Sequence, residues 1–335
     1  MAVRIIFLLI ATLAFATMNG CQEPGAEGSN NTFVFTAAGD YGSSNGTTAT
    51  LDLIARSGAS FNLALGDLSY SSTLPESSWC DYVKSHVGAT FPFQLVAGNH
   101  EDDYGGDGHI SNFATCLPDR IGVAGKYPKQ YYFDYNNLAR FIIISPDLTV
   151  DGQHYYYGDA NEHYNWIESA IDGARAANIP WIIIGMHKNC LSMGPYYCNI
   201  YADLMNLLVA QKVDLVLQAH DHTYQRSKQL STGSACPIVL IDSLNNNCVV
   251  DDGKDNVYMK GFGTVFVIAG TAGADLYDIN TSDLEAGYFS KWMGGNINPR
   301  KGFMKFTVST VEISAEFVGS TATSGFTDNF VIRKP

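Results

Sequence analysis

The residues able to do chemistry stand at the ends of apolar runs. Residues 213–226 read VDLVLQAHDHTYQR, and Val213, Leu215, Val216 and Leu217 have the pattern of a buried strand. His220 and His222 then fall in the loop at its carboxyl end, where ligands collect in α/β folds. Alternate residues of an extended segment point the same way, so the two imidazoles can converge on one site about 6–7 Å apart along the chain. That spacing suits two adjacent cations better than one. In isolation, H-x-H is as readily a pair that merely closes a strand, so the other strand ends have to decide.

TFVFTAAGD closes on Gly39-Asp40, FNLALGDLSY on Gly66-Asp67 with Tyr70 just beyond, and FQLVAGNHE on Gly98-Asn99-His100-Glu101. WIIIGMHKN repeats the idea with His187. One such turn is ordinary strand punctuation; the succession is hard to explain as turn chemistry alone. Carboxylate, phenol, amide and imidazole are together the donors that hard and borderline cations take. A glycine before a donor lets the backbone turn sharply and admits a neighbouring side chain to a crowded site.

The elements that must carry these donors alternate. Helical spacing appears at about 47–56, 162–176 and 201–211, between the apolar strands, and YYFDY and ARFIIIS read as a strand pair. After Arg226, LIDSL, TVFVIAG, GFMKFTVS, VEISAEFV and DNFVIRK read as further strands separated by Gly-rich turns. The pattern is α/β, with no repeat of solenoid period.

Composition narrows the partners. The 335 residues are 46% hydrophobic and 16% charged, which is ordinary for a chain that buries a large core. Lys plus Arg number 20 against 33 Asp plus Glu, a formal charge of -13 that argues against nucleic acid as a partner. Carboxylates gathered round cations account for part of that excess.

Arg4, the apolar run 5–16 and the small residues up to Gly20 have the form of an export signal, too short for a membrane span. Residues 1–20 are therefore expected to be a signal peptide, 21–31 a flexible tether and 32–335 the catalytic domain. Cys21 directly after Gly20 resembles a lipoprotein acceptor, so the chain is expected to be secreted or held extracytoplasmically by a lipid at Cys21. No other membrane contact is expected, and the oligomeric state is not legible. Removing Cys21 from seven cysteines leaves an even number, able to pair completely in an oxidising compartment. Proximity in sequence suggests Cys80 with Cys116, Cys190 with Cys198 and Cys236 with Cys248, although the count leaves other connectivities open. Asn30, Asn45 and Asn280 each begin an N-x-S/T sequon.

The blocks GDYG, GDLSY, GNHE, GMH and AHDH, in this order, resemble the calcineurin-like metallophosphoesterases and, within them, the purple acid phosphatases. Asp40-Tyr41-Gly42 and Tyr70 carry the narrower resemblance, which spans residue 33 to about 226 by motif. It implies a four-layer αββα metallophosphoesterase sandwich, two mixed sheets face to face with helices outside. It gives one metal, Fe(III), to Asp40, Tyr70 and His222, with Asp67 bridging to a second, divalent metal (Zn, Fe or Mn) held by Asn99, His187 and His220. His100, with Asn99, would meet the substrate phosphate. The implied activity is acid hydrolysis of small phosphomonoesters by attack of a metal-bound hydroxide. A phosphodiesterase or nucleotide hydrolase on the same scaffold, and a non-catalytic metal-dependent phosphate-binding module, are the alternatives.

Departures bear on these expectations. Ala219 stands where the family usually has glycine, a change tolerated if that backbone is not left-handed. Residues 188–219 hold no histidine able to protonate a leaving alkoxide, which leaves Lys188, Tyr196, Tyr197 or water. Tyr196 and Tyr197 otherwise pack a disulfide-closed loop over the site mouth, and Tyr41 is expected as a pocket wall. Arg226, His109 and Lys188 could contact phosphate but are more often solvated surface residues.

Overall fold

A computed structural model describes residues 31–320 and 325–335, and these form one compact unit, Asn31–Pro335. The expected signal peptide, Cys21, Asn30 and nearly all of the expected tether lie outside the described residues.

Two sheets face one another. The first has seven strands in the order Val257–Met259, Asn329–Arg333, Glu312–Gly319, Gly302–Val308, Phe33–Ala38, Phe61–Ala64, Phe93–Leu95. The second has eight, in the order Phe289–Met293, Tyr224–Ser227, Val265–Ala269, Leu215–Gln218, Trp181–Gly185, Ala139–Ile143, Gln130–Tyr135, Ala124–Lys126. Each contains a parallel core: Phe33–Ala38 with Phe61–Ala64 and Phe93–Leu95, and Ala139–Ile143 with Trp181–Gly185, Leu215–Gln218 and Val265–Ala269. Parallel strands need crossovers and are covered on both faces, which explains their unbroken apolar runs.

Between the sheets lies an aromatic core. Phe35 stacks on Phe306 at 4.6 Å and meets Phe141 of the opposite sheet edge-on at 4.9 Å. Phe61, Ile183, Leu217 and Val267, all buried, complete it, each adding roughly 1.5–3 kcal/mol relative to exposure. The other faces carry helices. Leu51, Ile54, Trp79 and Val83 of Asn45–Arg56 and Glu76–Val87 pack with Ala64 and Leu95, while Ile167, Ile171, Leu204 and Leu208 of Glu162–Ala176 and Ala202–Ala210 pack with Ile142, Ile182 and Ile184. The result is the four-layer arrangement that the resemblance implies.

Differences from the expected elements are local. LIDSL, residues 240–244, is not a strand. It runs half-exposed inside the segment closed by the Cys236–Cys248 disulfide, where the Asp242 amide bonds Glu285 Oε1 at 2.7 Å and not a sheet neighbour. Conversely, Tyr224–Ser227, directly after the histidine pair, is a strand between two antiparallel partners. Arg226 on it is neither a phosphate contact nor solvated. It is 1% exposed, and its guanidinium grips Asp328 with Nε at 2.7 Å and Nη2 at 3.0 Å, joining the second sheet to the approach of the last strand of the first.

Candidate metal centre

The carboxyl ends of the parallel strands of both sheets meet, and all seven donors read from the sequence stand on the loops that leave them. The tight turn comes at an energetic cost. Asp40, Asp67, Tyr70 and His220 all adopt left-handed backbone, with φ of 62°, 51°, 50° and 69°, a conformation costing non-glycine residues about 1–3 kcal/mol each. Ala219 is not among these residues; the strain falls on His220 instead. Main-chain bonds over-determine the turns: Asp40 N donates to Gly66 O, Tyr41 N to Asp67 O and Gly42 N to Leu68 O, at 2.8–3.1 Å.

Glycine is required where these loops touch. A Cβ on Gly66, at φ +86°, would lie 2.7 Å from His187 Nδ1 and 2.8 Å from Gly98 Cα. One on Gly39 would lie 2.5 Å from the Ala219 methyl, so the glycine at 39 makes room for the alanine at 219.

Glu101, to which the sequence assigned no separate role, is the clamp. Its fully buried carboxylate accepts Asp67 N at 3.0 Å, Leu68 N at 2.5 Å and Gly98 N at 3.2 Å, fixing two donor loops to each other. Burial, then the charge of Asp67, pushes its pKa well up. Helix Asn45–Arg56 does the same for the first loop: Thr47 Oγ1 donates to Tyr41 O while sharing a capping box with Ser44.

The donors form two groups around Asp67. In the first, the Tyr70 hydroxyl lies 2.9 Å from Asp40 Oδ1, 3.2 Å from Asp67 Oδ2 and 2.9 Å from His222 Nε2. His222 Nδ1 faces the Asp275 carbonyl at 2.8 Å, so Nδ1 is a donor; burial opposes a second ring proton, but Asp40 Oδ1, 3.3 Å from Nε2, outweighs it and raises the ring's pKa. The phenolic hydroxyl thus stands against two carboxylates and an imidazole that compete for few protons. Burial, then the charges of Asp40 and Asp67, raises the Tyr70 pKa steeply unless a cation intervenes.

In the second group, Asp67, His187 and His220 can bring one donor atom each within 4.8 Å of one another. His187 Nε2 lies 3.2 Å from Asp67 Oδ1 and 3.1 Å from Asn99 Oδ1, with Nδ1 2.7 Å from the Leu65 carbonyl. Without a cation the ring must hold a second proton: burial opposes this, but the Asp67 charge outweighs it and lifts the pKa to about 9. His220 goes the other way, to about 2, through burial and the neighbouring His187. Asp67 stays below the ordinary carboxylate range, its burial outweighed by His187 and His100. Acceptors outnumber protons throughout, so the donor set fits two cations that share Asp67.

The sequence profile of the calcineurin-like phosphoesterases matches residues 33–224. The chain belongs to that family. Among curated relatives it is 26% identical over 214 residues to purple acid phosphatase 21 of Arabidopsis thaliana, covering 61% of this chain and 47% of the relative. It is 27% identical over 228 residues to the Fe(3+)-Zn(2+) purple acid phosphatase 12 of the same plant, covering 62% and 46%. Among solved structures, purple acid phosphatase PPD1 from yellow lupin (Lupinus luteus) seeds superposes with a TM-score of 0.68 at 18% identity, covering 91% of this chain and 54% of that one. The chain spans about half the length of the curated relatives it matches. Its likeness is to the purple acid phosphatase branch.

His100 stands beside this donor cluster, its side chain one third exposed. Its ring lies 4.5 Å from that of Tyr70, Nε2 is 3.7 Å from Asp67 Oδ2 and Nδ1 is 2.5 Å from Asp107 Oδ2. Asp107, not anticipated from sequence, orients that imidazole. Asp221, between the two histidines, was likewise missed, although alternation alone directs it away from them. Its buried carboxylate accepts Asn189 Nδ2 at 3.0 Å, the Ser192 hydroxyl and Tyr196 N at 3.4 Å, and burial raises its pKa to about 6.

All three suggested cysteine pairs are disulfides. The Cys190–Cys198 loop sets Tyr196 flat on the His220 ring at 3.9 Å, whereas Tyr197 is exposed; Tyr277, from a later loop, stacks on His222 at 4.0 Å. Three side chains weighed above are taken up by other partners. Tyr41 is core, packed on Trp79 and Phe93 with its hydroxyl accepting Asn62 Nδ2. Lys188 is committed to Asp147, and His109 caps helix Ile110–Cys116 while Nε2 bonds Asp103 at 2.9 Å.

Proposed function

We propose that this protein is an exported acid phosphatase that hydrolyses small phosphomonoesters at a two-metal centre. The observation that carries the reading is the single Tyr70 hydroxyl set against Asp40, Asp67 and His222, a geometry that asks for a cation and suits a phenolate ligand. Asp40, Tyr70 and His222 would hold Fe(III); Asn99, His187 and His220 would hold a divalent ion, zinc, iron or manganese; Asp67 would serve both. When bound, the cations supply a nucleophile at acidic pH and neutralise charge on the phosphoryl oxygens.

The chain's own groups do the rest. Asn99 and His100 orient the ester phosphate, and Asp107 accepts the Nδ1 proton of His100 so that Nε2 faces the opening. With no histidine between 188 and 219, His100 is the imidazole placed to give the leaving oxygen its proton. Three disulfides support an extracytoplasmic location, with Cys21 as the point of lipid attachment if the chain is anchored. A charge of -13 supports a small phosphorylated substrate over nucleic acid.

The test is the visible spectrum and metal content of the aerobic protein and of Tyr70→Phe, with turnover of aryl monophosphate and bis-aryl phosphate. A visible band lost in the variant, two metals per chain including iron, and preference for the monoester are expected. Preference for the diester would make it a phosphodiesterase. Bound metal and phosphate without turnover would make it a binding module. Absence of metal would remove the basis of the reading.

A further inference from the structure

The three site imidazoles are not held in the same way. For His187 and His222 the outer nitrogen is Nδ1, and in each case it faces a backbone carbonyl, Leu65 O at 2.7 Å and Asp275 O at 2.8 Å. A carbonyl only accepts, so Nδ1 carries the proton and Nε2 is left with its lone pair toward the donor cluster. No substitution at residue 65 or 275 removes that carbonyl. His220 lacks such an arrangement. Its Nε2 lies 3.3 Å from the carboxamide of Asn199, placed with Nδ2 toward the ring; Asn199 directly follows the Cys190–Cys198 loop and stands outside the sequence blocks that carry the metal donors.

An amide can donate through Nδ2 or accept through Oδ1, and its two orientations differ only by a half-turn. With Nδ2 toward the ring, Nε2 is the acceptor and Nδ1 bears the proton, which leaves His220 unable to bind a cation beside Asp67 and His187. With Oδ1 toward the ring, Nε2–H donates and the Nδ1 lone pair is free for the cluster. His220 also has less freedom elsewhere: its backbone sits at φ 69°, its amide donates to Asp40 Oδ2 at 3.0 Å, and Tyr196 covers one ring face at 3.9 Å. The ring is fixed in place, and its tautomer depends on Asn199.

We infer that Asn199 is a positioning residue for the second metal, accepting the Nε2 proton of His220 through Oδ1 and so presenting Nδ1 as the ligand atom. The inference rests on the two-metal reading above. It also explains why the disulfide loop reaches the site. Tyr196 holds the face of the imidazole, Asn199 its edge, and Asp221 ties the loop to the histidine pair through Asn189, Ser192 and Tyr196. Loss of an outer partner of this kind lowers metal affinity about 10–100-fold.

The experiment compares wild type, Asn199→Ala and Asn199→Asp, each stripped of metal and titrated with Zn2+ against a competing chelator. Near-UV circular dichroism reports folding. Carboxylate only accepts, so Asn199→Asp separates an acceptor role from a donor role. The expected result is two zinc ions per wild-type chain, one weakened about 10–100-fold in Asn199→Ala, and both retained within about threefold in Asn199→Asp. Wild-type affinity in Asn199→Ala, or equal weakening in both variants, overturns the inference and leaves the two-metal reading standing. Fewer than two zinc ions in the wild type overturns both. If Asn199→Ala does not fold, Asn199→Asp alone decides: retained zinc supports the acceptor role and lost zinc refutes it.

Discussion

Two of the buried polar clusters among the described residues differ in one respect: the first is closed by its own residues and the second is not. Around Arg226, a guanidinium meets Asp328 through two nitrogens, Tyr224 donates to the same carboxylate at 2.6 Å, and Tyr258 and Asn256 each accept a further guanidinium N–H. Charge and hydrogen-bond demand balance there, and the Arg226 pKa rises because the Asp328 contacts outweigh its burial. Around Asp67, two carboxylates, a phenol, an amide and three imidazoles converge with a lone pair or a shared proton at almost every contact. Four of its residues, moreover, hold strained backbone. Strain and unmet demand together mark a site built for something brought from outside, whereas the Arg226 cluster is finished by its own residues.

The widest gap between the clusters is in activity. Asp67→Ala is expected to cut turnover of an aryl phosphate at least about a thousandfold, roughly 4 kcal/mol, while leaving the metal-free fold intact. Full metal-dependent turnover in Asp67→Ala or His220→Ala would falsify the metal assignment. Arg226→Ala reverses the pattern. Stranding the buried Asp328 carboxylate should cost about 3–5 kcal/mol in denaturant unfolding, with zinc content per folded chain unchanged. Equal losses of metal in both variants would erase the distinction.

Chelation sharpens it further. Stripping metal should lower the melting temperature of the wild type and of Arg226→Ala but barely move Asp67→Ala, because stabilisation by a ligand needs the ligand's site. Glu101→Gln lies between the two classes, since it leaves three backbone amides with one carboxamide oxygen. Metal affinity should fall about tenfold, read by chelator competition, with the fold retained.

A further effect, confined to one pH window, belongs to a carboxylate of neither cluster. Glu285 accepts Ser192 N and Asp242 N, and burial raises its pKa from 4.5 to about 7. The folded state therefore binds this proton more tightly than the unfolded chain does. Its contribution favours the fold in acid and is lost as pH rises from about 4.5 through about 7, on the order of 3 kcal/mol across that window. Glu285→Gln should flatten the pH dependence of unfolding there. An unchanged slope would show that the carboxylate ionises freely in the folded protein.

Much of this was legible in the chain. Parallel strands buried on both faces must be unbroken apolar runs, so their ends could be located, and the donors at those ends were read by residue type and order. The cysteine pairs were suggested by proximity. Partnerships made by loop geometry were not legible, whether near in sequence or far. Asp107, seven residues from His100, and Asn199 look like ordinary loop polar residues, and nothing local tells Arg226, buried against a carboxylate 102 residues away, from a solvated arginine. LIDSL misled because its alternation fits a strand, yet no sheet edge is offered to it.

What the sequence by itself determined was the inventory: which donors exist, that each follows a strand end, and that glycine precedes several of them. These follow from side-chain chemistry and from the periodicity of a strand, both local properties. The tertiary structure alone decided how protons and charges are shared. Whether Tyr70 faces one partner or three, which nitrogen of each histidine points outward, and which carboxylates are neutralised by a partner all depend on distances between loops far apart in the chain. Electrostatic energies vary steeply over those few ångströms, and residue spacing along the sequence does not encode them.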